Sequence, residues 1–252
     1  GLSFLLATLG GALFHRGHFC TMGAISDWFI MGDTHRAKQW AMAVAVAVLG
    51  FGFLSWRGAI SPLNTIYANL QLSWLSLLLG GFLFGVGMVL GSGCASKSLV
   101  RLGGGNLKSL VVLMAMGISA LATLRGVTAV WRVQTLDQLQ VTTGPGPFVG
   151  QWLVSATGWS QPLAGWVSAC VFSGLLLLWI FKDSQSVPKS AYLSGAGVGV
   201  VVLALWWISG VMGFVPEHPE TLEAMFLTTA SARMESMSLT APVAYWLDAF
   251  RY

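Results

Sequence analysis

Five runs of the sequence, Trp40 to Trp56, Trp74 to Leu90, Leu110 to Leu124, Ala164 to Phe181 and Ala191 to Phe214, carry no charged residue at all. A helix crosses the hydrocarbon core of a bilayer in about 17–25 mostly apolar residues, so each run reads as a transmembrane span. Open backbone N–H and C=O groups are not tolerated in lipid, which leaves helices or a closed barrel. Barrel strands alternate apolar and polar residues over about ten positions. These runs do not alternate, so the fold is expected to be all-α and polytopic. Only 9% of the 252 residues are charged, against about 25% in soluble domains, too few to cover a water-facing surface.

Two shorter apolar stretches fall below spanning length. Leu2 to Phe14 and Thr21 to Met31 read as half-helices, the second carrying Asp27. Counting Lys and Arg over alternating loops puts Arg36, Lys38, Lys97, Arg101, Lys108, Lys182 and Lys189 on one side. Arg57, Arg125 and Arg132, with the acidic cluster Glu217, Glu220 and Glu223, fall on the other. The positive-inside rule makes the first side cytoplasmic. The basic excess is thus a matter of topology, and no nucleic-acid partner is implied. Arg125 to Gln161 and the region after Phe214 read as non-cytoplasmic loops, the latter with short interfacial or re-entrant helices. The opening GLSFLLATLGGALF has neither methionine nor a basic leader, so it is not read as a signal peptide and looks trimmed. The chain is assigned as one transmembrane domain over 1–252. Residues 1–124 form a first half holding both cysteine motifs, and 125–252 begin a second half with long non-cytoplasmic loops.

The chemistry concentrates at two cysteines. Cys20, in FHRGHFCTMGAISD, and Cys94, in GMVLGSGCASKSLVRLGGGNLKSL, are 74 residues apart. Each follows a glycine-bearing break and precedes a basic residue, Arg36 or Lys108, that leads into a span. Duplicated interrupted segments are a pointer to a transporter binding site. The glycines of GGFLFGVG read as helix packing. Gly91, Ser92 and Gly93 read as backbone opened beside a polar cavity, the setting in which non-helical backbone survives at membrane depth. A helix starting at such a break aims N–H groups and positive dipole at the cavity, favouring an anion. Thr21, Ser92, Ser96 and Ser98 add hydroxyl donors, and a thiol is a weak, polarizable donor suited to a soft solute. Cys170 lies in an unbroken span and reads as a small apolar residue. Three scattered cysteines without a C-x-x-C pair imply neither a disulfide framework nor a metal site. His15 and His18 are assigned to an interfacial loop. Asp27 reads as pairing with Arg16 or capping a half-helix, with proton coupling as a third reading that nothing else in the sequence supports.

The motifs GHFCTMGAISD and GVGMVLGSGCASKSLVRLGGGNLKSL resemble the YeeE/YedE family of bacterial inner-membrane proteins, which includes thiosulfate uptake transporters. The resemblance covers about the first 125 residues in motif, and the remainder in hydropathy and loop style. It implies inverted halves, re-entrant helices meeting at a narrow centre, and a path lined by the thiols of Cys20 and Cys94. Phe19, Thr21, Gly91, Ser92, Gly93, Ser96 and Lys97 would support them. Thiosulfate or a related small anion would be the solute and a cytosolic sulfurtransferase of the TusA type a partner. The expectation is a transporter in the inner membrane, in contact with lipid, with no catalytic role, cofactor or metal. A membrane persulfide relay, a selenium-compound transporter and a purely structural subunit are the alternatives. Full-length family members are longer and carry a further cysteine motif, so this chain reads as a fragment or as completed by a partner.

Overall fold

A computed structural model describes residues 1–69, 71–142, 144–182, 187–216 and 225–249. The fold is all-α, with two minimal two-stranded pairings as its only sheet among the described residues. The first half runs α1 (Leu2–Gly17), α2 (Thr21–Ser26) extended by a π turn (Asp27–Met31), α3 (His35–Trp56), α4 (Trp74–Leu90), α5 (Ala95–Gly103) and α6 (Leu107–Arg125). The second runs α7 (Val127–Thr135), α8 (Val149–Thr157), α9 (Gln161–Lys182), α10 (Lys189–Trp207) with its own π turn (Ile208–Met212), and α11 (Ala241–Ala249). Five segments are long and apolar enough to cross a membrane, one for each charge-free run. The chain is a multi-pass membrane protein.

Local chemistry sets the helix ends. At the start of α3, Asp33 Oδ1 accepts from the His35 N–H at 2.9 Å, one of the donors a helix N-terminus leaves open. At the start of α6, Asn106 does the same for Lys108 at 3.0 Å. Pro188 precedes the first turn of α10, where its missing N–H is not needed. The last turn of α8 stops at Gly158, in the left-handed region at φ 71°.

Helices α3, α9 and α10 pack side by side, and α1 packs along α10. Small residues make this possible, as expected where lipid supplies no hydrophobic drive between helices. Ala41, Ala43 and Ala45 of α3 are buried. A methyl group at Gly199 of α10 would stand 2.6 Å from the Ala43 carbonyl oxygen, and one at Gly195 would meet that of Gln39. Ser173 of α9 donates to the Ala45 carbonyl at 3.1 Å. By contrast, α4 has no buried residue. Methyl groups at Gly81, Gly85 or Gly87 would meet nothing within 4 Å. The packing contact expected of GGFLFGVG is not made among the described residues, because no described helix lies along that face.

The structure corrects three expectations. The segment 125–161 is not a plain loop, since α7 and α8 occupy much of it. The helix begun at Leu2 runs 16 residues to Gly17 rather than ending at Phe14, about 24 Å at 1.5 Å per residue. Lys38 is not in a loop: it lies in the first turn of α3 and is fully buried. After Phe214 a two-stranded pairing of Phe214–Val215 with Met225–Phe226 leads to α11, which packs on α6. The acidic cluster Glu217, Glu220 and Glu223 lies outside the described residues.

Candidate functional site

Both cysteine motifs fold as the same local device. A long helix ends, the chain opens for a few residues, and a short helix starts directly after the cysteine. In the first, α1 closes at His18, in left-handed backbone at φ 46°. Cys20 is then the extended N-cap of α2 (φ −145°, ψ 120°). Its sulfur accepts from the Gly23 N–H at 3.4 Å, and its carbonyl from the Ala24 N–H at 3.0 Å. In the second, Gly91 closes α4, Ser92 takes left-handed backbone at φ 58°, and Cys94 is the extended N-cap of α5. Gly93 takes φ 157°, backbone that residues with a side chain rarely adopt, with the Lys97 chain lying against it.

The two breaks meet. Cys20 Sγ and Cys94 Sγ lie 3.2 Å apart, 8% and 4% exposed, and neither is in a disulfide. Ser96 Oγ is 3.0 Å from Cys94 Sγ and donates to the Phe19 carbonyl at 3.3 Å, tying α5 to the first break. Phe19 is buried against Phe14 and Trp40, its ring centre 4.9 Å from that of Trp40. Of the sequence-predicted residues, Phe19, Cys20, Cys94 and Ser96 therefore come together. Gly91, Ser92 and Gly93 form the break beside them. Thr21 is half-buried at the start of α2, and Lys97 is exposed with its chain against Gly93.

Several contributors carry no sequence motif. Gln39 of α3 is buried and its Nε2 donates to the Gly17 carbonyl at 3.0 Å and to Ser194 Oγ at 2.7 Å, pinning the first break to α3 and α10. The Trp40 Nε1 is buried and has no hydrogen-bond partner among the described residues. Arg36 pairs with Asp27 at 3.3 Å and lies against Gly23. Asp27 therefore pairs with Arg36 rather than Arg16, and it closes the short α2, its N–H donating to the Ala24 carbonyl where the helix widens into its π turn. Arg101 Nη1 donates to the Ser92 carbonyl at 3.3 Å. His15, Arg16 and His18 lie at the end of α1, and His15 and Arg16 are exposed.

A cavity of about 850 Å³ is lined by Ser96, whose hydroxyl is 3.0 Å from Cys94 Sγ; neither thiol lines it. Its lining includes Ser3, His15, Ser209, Thr228 and Ser238. Leu205 of α10 also lines it, about 24 Å of helix from Lys189 at 1.5 Å per residue. Gln39, by contrast, is one turn in from the basic start of α3. The cavity thus runs from the far end of α1 and α10 towards Ser96, next to the thiols; Lys97 and Arg101 lie on α5 beyond the second break, and Arg36 near the start of α3.

A multi-pass helical bundle broken twice, with two buried thiols and a buried hydroxyl gathered where the breaks meet, is an arrangement that membrane transport proteins use for their binding sites. The chain belongs to the Sulphur transport family, YeeE/YedE, whose sequence profile it matches over residues 16–251. It is similar to thiosulfate transporter TsuA of Spirochaeta thermophila, at 25% identity over 88% of this chain and 72% of that one. It is also similar to thiosulfate transporter TsuA of Escherichia coli K12, at 29% identity over 95% of this chain and 64% of the relative. A probable transporter of E. coli K12, YedE, is 32% identical over 40% of this chain and 23% of its own length.

Proposed function

We propose that this chain conducts thiosulfate, or a closely related small sulfur anion, across a bacterial inner membrane, along a path whose narrow point is the Cys20–Cys94 pair. The observation that carries the reading is that two buried free thiols, 74 residues apart in sequence, stand 3.2 Å apart. A thiol is a weak donor. Buried where the two breaks meet, two thiols offer S–H donors to the terminal sulfur or an oxygen of the anion without holding it tightly. Passage needs binding favourable enough to enter yet weak enough to leave.

The other groups extend the same chemistry. The hydroxyl of Ser96 and the unpartnered indole N–H of Trp40 are donors suited to sulfonate oxygens. Helices α2 and α5 begin at the thiols, so their first N–H groups and positive dipole ends add to an anion's binding. The positive-inside rule makes the basic end cytoplasmic, so the cavity is the vestibule facing away from the cytoplasm. Helices α2 and α5 are then half-helices of re-entrant segments. A cytosolic TusA-type sulfurtransferase would receive sulfur on the basic, cytoplasmic side, which carries Arg36, Lys97 and Arg101.

The test is growth of a sulfur-auxotrophic bacterium on thiosulfate as sole sulfur source, carrying the full-length gene as wild type, Cys20→Ala or Cys94→Ala. Wild type should support growth, and either substitution should abolish or strongly slow it at equal membrane expression. Undiminished growth of the double Cys→Ala variant would remove the thiols from the path.

A further inference from the structure

We propose that Cys20 and Cys94 form a reversible disulfide that shuts the path, and that tetrathionate, the oxidised dimer of thiosulfate, drives its formation. The proposal rests on the reading of this pair as the narrow point of an anion path, and adds to it a modification site and a control.

The geometry makes the pair an oxidation partner for itself. Its sulfurs are 3.2 Å apart, and a disulfide needs about 2.05 Å, so closing the bond asks about 1.2 Å of sulfur movement. Each cysteine is the last residue of an open break rather than part of a regular helix. Two residues before each, at His18 and Ser92, the backbone already turns through the left-handed region. The cysteine carbonyls accept the first bonds of the helices that follow, from Ala24 to Cys20 and from Ser98 to Cys94, so the movement falls to rotation of the two side chains and of the extended residue that carries each. The remaining cysteine, Cys170, lies on α9 and is half-buried, and no contact joins it to the pair among the described residues. Neither thiol therefore has a competing thiol beside it there.

The oxidant is suggested by the path itself. A site that admits a small divalent sulfur anion is exposed to the tetrathionate dianion, which carries the same terminal sulfonate groups and a central sulfur–sulfur bond. One cysteine thiolate attacks a central sulfur of tetrathionate, forming a Cys–S–S–sulfonate adduct and expelling one thiosulfate. The second thiolate then attacks the cysteine sulfur of that adduct, forming the Cys20–Cys94 bond and expelling a second thiosulfate. Two thiols lose two electrons and two protons, the protons go to water, and one tetrathionate becomes two thiosulfates. A dithiol reduces the bond again by thiol–disulfide exchange and is itself oxidised to its disulfide. The bond removes both S–H donors and links the two breaks, so a cell whose surroundings turn oxidising would stop uptake.

The experiment uses the full-length protein with Cys170→Ala, purified in proteoliposomes, and radiolabelled thiosulfate. The vesicles are treated with tetrathionate, freed of it, and assayed for uptake before and after dithiothreitol. A parallel sample is blocked with N-ethylmaleimide, digested and searched by mass spectrometry for the peptide joining Cys20 to Cys94. The expected result is the joined peptide with an uptake loss of at least tenfold, both reversed by dithiothreitol. Absence of the joined peptide after tetrathionate overturns the proposal, as does its presence with undiminished uptake. Joining by diamide but not by tetrathionate overturns the assignment of the oxidant. Untreated vesicles report on the underlying reading separately: if they take up no thiosulfate, the proposed transport fails whatever the thiols do.

Discussion

Ser96→Ala tests whether the two breaks must be held together for the site to work. The Ser96 hydroxyl is 5% exposed and makes two contacts, one to Cys94 Sγ at 3.0 Å and one to the Phe19 carbonyl at 3.3 Å. Polar contacts between membrane helices average about 0.6 kcal/mol by double-mutant cycles, so losing both costs about 1.2 kcal/mol. If that energy holds the thiols in their binding arrangement, affinity falls by about eightfold, since about 1.4 kcal/mol is tenfold. A carbonyl left without its donor adds to this figure, which is therefore a lower bound. Initial rates of radiolabelled thiosulfate uptake into proteoliposomes should show KM raised about eightfold or more, while the maximal rate stays within about twofold. Ser96→Thr, which keeps the hydroxyl, should recover most of the affinity. An unchanged KM for Ser96→Ala at equal reconstitution would refute the argument that this hydroxyl positions the site. A Ser96→Thr variant as impaired as Ser96→Ala would do the same.

Three further outcomes follow from the same geometry. Gly195→Val should destabilise the bundle by about 1–3 kcal/mol through overpacking, because a side chain there meets the Gln39 carbonyl; a thermal unfolding scan in detergent reads it as a lowered midpoint. Trp40→Phe keeps a ring against Phe19 but removes the unpartnered Nε1 donor, so uptake should lose about fivefold in affinity, on the order of 1 kcal/mol for one donor, with no fall in unfolding temperature. Cys170→Ala should leave uptake within about twofold of wild type, since a half-buried cysteine without polar partners among the described residues behaves as a small apolar side chain.

The spans are legible in the sequence because a long charge-free run in lipid can satisfy its backbone only as a helix, and the starts of Thr21–Met31 and of α4 fall where the sequence puts them. Ends shift where capping decides them: α3 starts at His35, not Trp40, because Asp33 holds the His35 N–H. The short helices α7 and α8 are hidden, since nine-residue segments with polar residues such as Arg132 and Gln151 show neither a spanning run nor an unbroken loop. Within the site, Cys20 and Cys94 announce themselves by their glycine breaks. Gln39 and Trp40 do not, because each acts across space from another element: Gln39 reaches back to Gly17 and across to Ser194. The Asp27–Arg36 pair is equally hidden, because the π turn after α2 brings the chain back on itself between them, a path no helical spacing predicts.

The thiol site can be understood as the place where two broken helices complete one another. Alone, α2 with its π turn and α5 are too short to be stable helices in isolation, and each break leaves backbone groups that lipid cannot satisfy. Placed together, they supply each other's partners, since Ser96 donates to the Phe19 carbonyl and the thiols face one another, while within the first segment Gly23 donates to the Cys20 sulfur. Most of this satisfaction comes from sulfur, whose hydrogen bonds are weaker than those of oxygen. An anion that displaces the thiol–thiol contact therefore loses little protein–protein bonding and gains two donors. Replacing the thiols by hydroxyls would strengthen the resting contact as well as the contact to the anion, and so would favour a closed pair over passage. On the proposed reading, cysteine at both breaks is selected for the weakness of its hydrogen bond as much as for its affinity for sulfur.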